Sequence, residues 1–481
     1  MQGIVAVWTD SALETNRRGM MHPIRYDLMV IGSGPAGQKG AIAASKLGKR
    51  VAIVDRNEMV GGVCIHGGTV PSKTLREAIL HLTGFRHRSF YGNDYVVKDR
   101  ISIRDLAARV TQVVERETGV VRDQLRRNGI DLMSGVAQFL DANTLEVQGP
   151  IDAHILQADH ILIACGTRPS HPADIPFDGK KIIASDQFFQ MDEIPRELII
   201  VGGGVIGLEY ASMLVAMGVE VTLIEQRNEL LDFVDAEIVE ALRYHMRRQG
   251  AIFRLGEKVT AIQMDERGRV VANLESGKHI HAQCLMYAVG RQANTDLLNL
   301  QASGLVPGPR GKLEVNEKFQ TAVPNIYAAG DVIGFPSLAS TSMEQGRLAS
   351  CQIFGAPAEM SAALLPYGIY TIPEISMVGK TEKTLTDSMI PFEVGISKYE
   401  ELAKAQIVGD HTGMLKILFH PDTRKVLGVH VIGESAAEIV HIGQAVLTFG
   451  GTMDYFRDTV FNYPTFAEAY KVAGLDGLNK L

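Results

Sequence analysis

An α/β fold in three parts is predicted by three observations: two similar strand, glycine-turn, helix units recur in the chain, its composition is that of an ordinary globular protein, and its pattern changes to alternating strands beyond Pro366. At 481 residues the chain exceeds what one core fills, so about three domains are expected. A hydrophobic fraction of 46%, a charged fraction of 21% and 48 glycines suit a nucleotide-binding α/β protein better than a disordered or fibrous one.

The first unit runs Tyr26-Asp27-Leu28-Met29-Val30-Ile31-Gly32-Ser33-Gly34-Pro35-Ala36-Gly37. It reads as a strand, a tight turn and a helix to about Leu47, followed by a strand from Arg50 to Asp55. The second runs Leu198-Ile199-Ile200-Val201-Gly202-Gly203-Gly204-Val205-Ile206-Gly207, with a helix to about Met217 and a strand from Val219 to Glu225. In each, the first glycine (Gly32, Gly202) permits the turn, the second (Gly34, Gly204) lets backbone approach a pyrophosphate, and the third (Gly37, Gly207) lets helix pack on strand. The phosphates then meet the helix N-terminus. A lone glycine motif is weak evidence, but here each is preceded by an apolar strand and followed about 20 residues later by an acid, Asp55 or Glu225, suited to a ribose hydroxyl. Two Rossmann-like dinucleotide-binding domains follow.

Ile161 to Pro169, containing Gly166, reads as the exit from the first domain; Leu285 to Arg291, containing Gly290, is its counterpart in the second. Thr321 to Val332 returns as a strand ending in the acidic turn of Asp331. Strands at Met414 to Phe419 and Val426 to Ile432, then a helix Glu438 to Thr448, mark a separate α+β domain. The expected division is an extension over 1–24, a first dinucleotide domain over 25–168, a second over 169–296, a central return to the first over 297–365, and a C-terminal domain over 366–481.

The formal charge of −7 argues against a broad nucleic-acid or anionic-membrane surface. Cys64, Cys165, Cys284 and Cys351 are far apart, and the last three sit in apolar strand-like or helical contexts that suit reduced, packed thiols in a reducing compartment. No metal-ligand set is identified. No run of about 18 apolar residues predicts a spanning helix. The leader up to Ile24 has no apolar core behind a basic start, and Arg17-Arg18 lacks a signal-peptide context, so it reads as a cytoplasmic extension with Met20 or Met21 as an alternative start.

Between the first unit and its exit lies Gly61-Gly62-Val63-Cys64-Ile65-His66-Gly67-Gly68-Thr69-Val70-Pro71-Ser72-Lys73. From Tyr26 to Leu481 the chain resembles the two-dinucleotide-domain FAD-dependent pyridine nucleotide-disulfide oxidoreductases, the family of glutathione reductase and dihydrolipoamide dehydrogenase. The segments Pro366 to Glu374 and Phe461 to Tyr470 strengthen the match. The resemblance implies FAD along the first unit, with Asp55 at the adenosine ribose, Gly61, Gly62 and Cys64 lining the flavin approach, and Asp331 at the ribityl chain. It implies Lys73 beside flavin N5, paired with Glu209, and a C-terminal dimerisation domain that sends Tyr463 to Glu468 toward the flavin of a partner in a homodimer or larger homo-oligomer. Asp55 departs from the glutamate common at its position.

Two further departures decide the chemistry. Thr69 stands where the disulfide reductases carry a second thiol, and Tyr463 where they carry the histidine held by the acid at Glu468. Threonine closes no disulfide, and a phenol with an unperturbed pKa of about 10 is a poor proton shuttle at neutral pH. Cys64 alone reads as a sulfenic-acid or charge-transfer centre or, the simpler role, a small residue against the flavin. The single cysteine followed by threonine is similar to the transhydrogenase branch of the family. Val205 is too small to cover the flavin as a tyrosine could; Glu225 suits the 2′-hydroxyl of NAD(H), and Arg227 reaches for the 2′-phosphate of NADP(H). The expected activity is Si-specific, ping-pong hydride transfer between NADPH and NAD⁺ through FAD at one nicotinamide site, in a cytoplasmic enzyme. The alternatives are a lipoamide dehydrogenase-like or quinone-reducing flavoenzyme, and a nucleotide-sensing flavoprotein with little turnover.

Overall fold

The structure, a computed structural model, describes residues 24–56, 59–92, 94–357 and 364–481. The expected N-terminal extension, except for Ile24, lies outside the described residues.

Strand Ile24–Ile31 is fully buried over Leu28 to Val30 and lies between two parallel neighbours, Val51–Asp55 and Ala153–Ile163. Sheets covered on both faces have continuous apolar strands of this kind. Asp131–Ser134 extends the parallel edge, while the hairpin Val136–Phe139 and Thr144–Gln148 pairs antiparallel with the start of Ala153–Ile163. The returning strand is present: Ile326–Ala328 pairs parallel with the far end of Ala153–Ile163, completing a seven-stranded sheet. Helix Pro35–Lys46 packs so tightly on helix Ala339–Ile353 that a Cβ on Gly346 would drive into the carbonyl oxygen of Ala36.

The second unit builds an all-parallel sheet of five strands. Glu197–Val201 lies between Glu220–Glu225 and Cys284–Tyr287, with Ile252–Leu255 and Ile182–Ala184 outermost. An antiparallel sheet of Val259–Met264, Val270–Leu274 and His279–Ala282, unanticipated in the sequence, is inserted before the last parallel strand. The two exits meet: Thr167–Pro169 pairs antiparallel with Arg291–Ala293 and stitches the two connections together.

The C-terminal part is a five-stranded antiparallel sheet in the order Tyr367–Ile369, Ile375–Gly379, Val426–Ile432, Met414–Phe419 and Glu393–Lys398. Its helix Ala436–Thr448 starts before the expected Glu438, because Ser435, at φ +65°, turns the chain and buries Ala436 completely. Cys165 lies just beyond the end of Ala153–Ile163, free and packed against the first domain's core, where burial pushes its thiol up to about 12. No described helix is long and apolar enough to cross a membrane.

Candidate active site

The glycine turns are built as their spacing demands. Gly32 and Gly202 sit at φ +104° and +109°, where a Cβ would press on the backbone of Ala164 and Ala288, so only glycine fits without strain. At Gly37 and Gly207 a Cβ would collide with the carbonyl oxygen of the first glycine of the same turn. Open space surrounds Gly34 and Gly204 instead, and neither following helix, Pro35–Lys46 or Val205–Ala216, has a side-chain cap. Uncapped amides facing open space are what an incoming pyrophosphate requires.

The acids that end the neighbouring strands also brace these turns. Asp55 Oδ2 accepts from the Ser33 amide at 2.6 Å and from the Ser33 hydroxyl, and its Oδ1 accepts from the Arg56 amide at 2.7 Å. Glu225 does the same in the second domain, accepting from the Gly203 amide at 2.7 Å and the Arg227 amide at 3.0 Å. Burial raises the Asp55 carboxyl in spite of these bonds. At Glu225 burial also acts upward, but the two amides and the Arg227 guanidinium prevail and hold it below the usual carboxylate range.

A cleft of about 710 Å³ joins the two turns. It brings together Gly32, Gly34, Asp55, Gly62, Cys64 and Lys73 from the first domain with Gly166, Gly204, Glu209, Gly290 and Asp331. Gly37, Gly61, Gly202 and Gly207 shape its walls from behind, and Glu225 and Arg227 lie outside it at the end of the second domain's strand. Arg227 is half-exposed and paired with Glu225 at 3.2 Å and Asp232 at 3.3 Å. Tyr463 and Glu468 are not in the cleft. The Tyr463 side chain is 68% exposed, and Glu468 begins helix Glu468–Leu478 with a buried Oε2 that has no hydrogen-bond partner.

At the centre, Lys73 projects from helix Thr69–Leu82 and Glu209 from helix Val205–Ala216. Lys73 Nζ donates to both Glu209 carboxylate oxygens at 2.8 Å, and Glu209 is 4% exposed. The Tyr370 amide donates to Glu209 Oε1 at 2.9 Å, and the Tyr370 ring lies 4.9 Å from Lys73 Nζ. Cys64, on the short helix Gly62–His66, carries a thiol raised by burial against the opposing pulls of the Thr69 hydroxyl and Lys73. All four cysteines are free.

Several site residues escaped the sequence reading. Arg291, partly buried where the exits pair, donates to Thr167 Oγ1 at 2.7 Å and Thr167 O at 2.9 Å, and the Thr167 hydroxyl donates to Asp331 at 3.3 Å. Helix Ala339–Ile353 opens without a side-chain cap, and Leu338, Ala339 and Ser340 line the cleft. His441 and Tyr370 line it from the C-terminal domain. The sequence signal for Arg291 was its place at the end of the second exit; Tyr370 had none beyond its segment.

The family model described as pyridine nucleotide-disulphide oxidoreductase matches residues 26–346, and the dimerisation domain of the same family matches 365–473. The chain belongs to the pyridine nucleotide-disulphide oxidoreductases. It is 53% identical to the soluble pyridine nucleotide transhydrogenase of Mycobacterium bovis over 95% of this chain and 98% of that one. It is 46% identical to the protein of the same name from Pectobacterium atrosepticum, over 96% and 99%. Among solved structures it resembles the HOCl-induced flavoprotein disulfide reductase RclA of Escherichia coli, with TM-score 0.82 at 26% identity over 94% of this chain and all of that one. The dinucleotides of this oxidoreductase family are FAD and a nicotinamide nucleotide, and two glycine turns with uncapped helices opening on one cleft fit that pair.

Proposed function

We propose that this enzyme is a soluble transhydrogenase that exchanges reducing equivalents between NADPH and NAD⁺ by a ping-pong route through one nicotinamide site, of the Si-specific type. The observation that carries the reading is the pairing of an intact Lys73–Glu209 centre with Thr69 where a dithiol needs its second sulfur. The relatives at 53% and 46% identity bear the transhydrogenase name over nearly their whole length.

When bound, FAD supplies a two-electron centre that takes a hydride from one nicotinamide and returns it to another. The first glycine turn and Asp55 hold its adenosine half, and Asp331, steadied by Thr167 and Arg291, takes its ribityl chain. Lys73 places a cation at the ring, which favours the electron-rich form, while Glu209 offsets the cost of burying that charge. The second glycine turn receives each nicotinamide nucleotide in sequence, and small Val205 leaves the approach open. A half-exposed Arg227 beside Glu225 serves both adenosine riboses. Cys64, which lines the cleft with its thiol raised by burial, would pack beside the ring and take no part in the electron transfer. Four free cysteines suit a reducing cytoplasm, and the matched dimerisation domain supports a homodimer whose partner covers the exposed Tyr463.

Anaerobic stopped-flow measurement tests the reading: NADPH bleaches the flavin absorbance, NAD⁺ restores it, and initial-rate plots at several NAD⁺ concentrations are parallel. Flavin that stays reduced with NAD⁺, or faster reoxidation by lipoamide or quinone, would overturn it. Cys64→Ser retains most turnover; a fall of about a thousandfold, roughly 4 kcal/mol, with FAD bound would put the thiol into the chemistry.

A further inference from the structure

Glu209 is fixed by more than Lys73. The segment Tyr370 to Glu374, from the start of the C-terminal domain, is gripped by two helices at matching spacing. Lys73 and Arg76 are three residues apart on helix Thr69–Leu82, and Glu209 and Ser212 are three apart on helix Val205–Ala216, so each pair presents one face. Glu209 Oε1 accepts the Tyr370 amide at 2.9 Å, and Ser212 Oγ accepts the Ile372 amide at 3.0 Å. From the other side Arg76 Nε donates to the Thr371 carbonyl at 3.0 Å, while Lys73 sits over the Tyr370 ring at 4.9 Å. Arg76 is 5% exposed; its Nη2 lies 3.6 Å from the Glu374 carboxylate, which in turn accepts the Ala437 amide at 3.3 Å. Arg76 Nη1 donates to Glu77 Oε1 at 2.9 Å, so this buried guanidinium has each branch engaged and is a rigid fork rather than a solvated charge.

The geometry points to Arg76 as a positioning residue for the redox centre: by holding the Thr371 carbonyl and Glu374, it fixes the Tyr370 amide on Glu209 and so sets the Lys73–Glu209 pair at the flavin. Arg76 touches no reacting atom; its influence passes through one peptide segment. The inference rests on the reading of the cleft as a flavin site, but its tests are separable from transhydrogenation, because exchange of the Tyr370 amide reports the clasp whatever the acceptor is.

The experiment compares Arg76→Met and Ser212→Ala with wild type as FAD-loaded enzymes. Hydrogen exchange read by mass spectrometry on the peptide spanning Tyr370 and Ile372 should accelerate at least tenfold in Arg76→Met and to a smaller extent in Ser212→Ala. The flavin midpoint potential should fall, since a less fixed Lys73 favours the reduced ring less, and the rate of flavin reduction by NADPH should drop about tenfold with KM for both nucleotides within twofold of wild type. If Arg76→Met fails to fold, Arg76→Lys decides, because it keeps the buried charge while removing the fork that holds the Thr371 carbonyl and Glu374, and the same changes are expected of it. Exchange and potential equal to wild type in the folded variants would overturn the proposal, as would accelerated exchange with an unchanged potential.

Discussion

Glu225 and Arg227, two residues apart at the end of one strand, do different work at the level of single residues. The Glu225 carboxylate is already committed to the Gly203 and Arg227 amides, so its loss would loosen the glycine turn itself as well as remove a ribose partner. Arg227 braces no glycine turn; its half-exposed guanidinium bridges Glu225 and Asp232. Arg227→Ala is therefore expected to weaken NADP(H) selectively, by about 1–3 kcal/mol for a charge-assisted contact to the 2′-phosphate, whereas Glu225→Ala raises KM for both nucleotides. Comparing kcat/KM for NADPH and NADH in the two variants checks this, and equal losses in Arg227→Ala would place the 2′-site elsewhere. Asp410, on the loop before strand Met414–Phe419, gives a residue-level pH dependence. Burial pushes its carboxyl up to about 6, although the Thr412 amide partly opposes the shift. An unfolded aspartate titrates near about 3.9, so between about pH 4 and 6 the folded chain holds a proton that the unfolded chain has released, and stability falls as pH rises through that window. Asp410→Asn should recover on the order of 2–3 kcal/mol at pH 8 and little at pH 4. Thermal midpoints of both proteins at the two pH values check it; an equal change at both would show that Asp410 does not titrate there.

For whole elements, tight contact replaces side-chain volume. Helix Pro35–Lys46 presents its uncapped start to the cleft only because helix Ala339–Ile353 lies against it at Gly346, and the Ser350 hydroxyl donates to the Gly40 carbonyl at 2.7 Å. Gly346→Ala would put a methyl into the Ala36 carbonyl, and overpacking of this kind costs about 1–3 kcal/mol. Because Ala36 belongs to the first turn of that helix, FAD should also bind more weakly; fluorescence titration of apoprotein and a melting curve measure the two effects, and normal FAD affinity in a destabilised variant would separate the packing from the site. This contact also shows where sequence legibility ends. The strands flanking the glycine turns and those at Met414–Phe419 and Val426–Ile432 were readable because continuous apolar runs bounded by glycines have few other uses. Helix Ile103–Arg127 was not anticipated; it is largely charged, buries a thin stripe including Leu106, Val110 and Leu125, and starts on a local Ser102–Asp105 capping box. Lys73 with Glu209 could be named only through family resemblance, and the Thr167–Arg291 contact was hidden because strand pairing between the exits joins residues remote in sequence.

At the scale of the molecule, the proposed exchange through one site requires the second dinucleotide domain to keep a fixed seat while nucleotides come and go. The chain ties that seat to the C-terminal sheet with a charge cluster in which Lys416 and Asp235 are buried and Glu237 and Glu382 reach solvent. Lys416, on strand Met414–Phe419 and 1% exposed, lies 2.9 Å from Asp235, 2.8 Å from Glu237 and 2.5 Å from Glu382. Asp235 and Glu237 open helix Ala236–Arg248 of the second domain, and Asp235 accepts the Glu237 amide at 3.2 Å as its cap. Burial alone would lower the Lys416 ammonium, but the three carboxylates outweigh it and hold it above its ordinary value. Replacing the whole cluster by apolar residues need not destabilise, yet removing one partner leaves buried charge uncompensated. Lys416→Met strands Asp235, itself 1% exposed, and should cost about 3–5 kcal/mol, with Asp235→Asn in the same chain recovering part of the loss. Because none of Lys416, Asp235, Glu237 and Glu382 lines the cleft, the functional signature should be uniform: kcat/KM for NADPH and NADH fall together, unlike the selective loss expected of Arg227→Ala. A Lys416→Met melting curve that overlays wild type, or a loss confined to one nucleotide, would show that the cluster does not seat the domain.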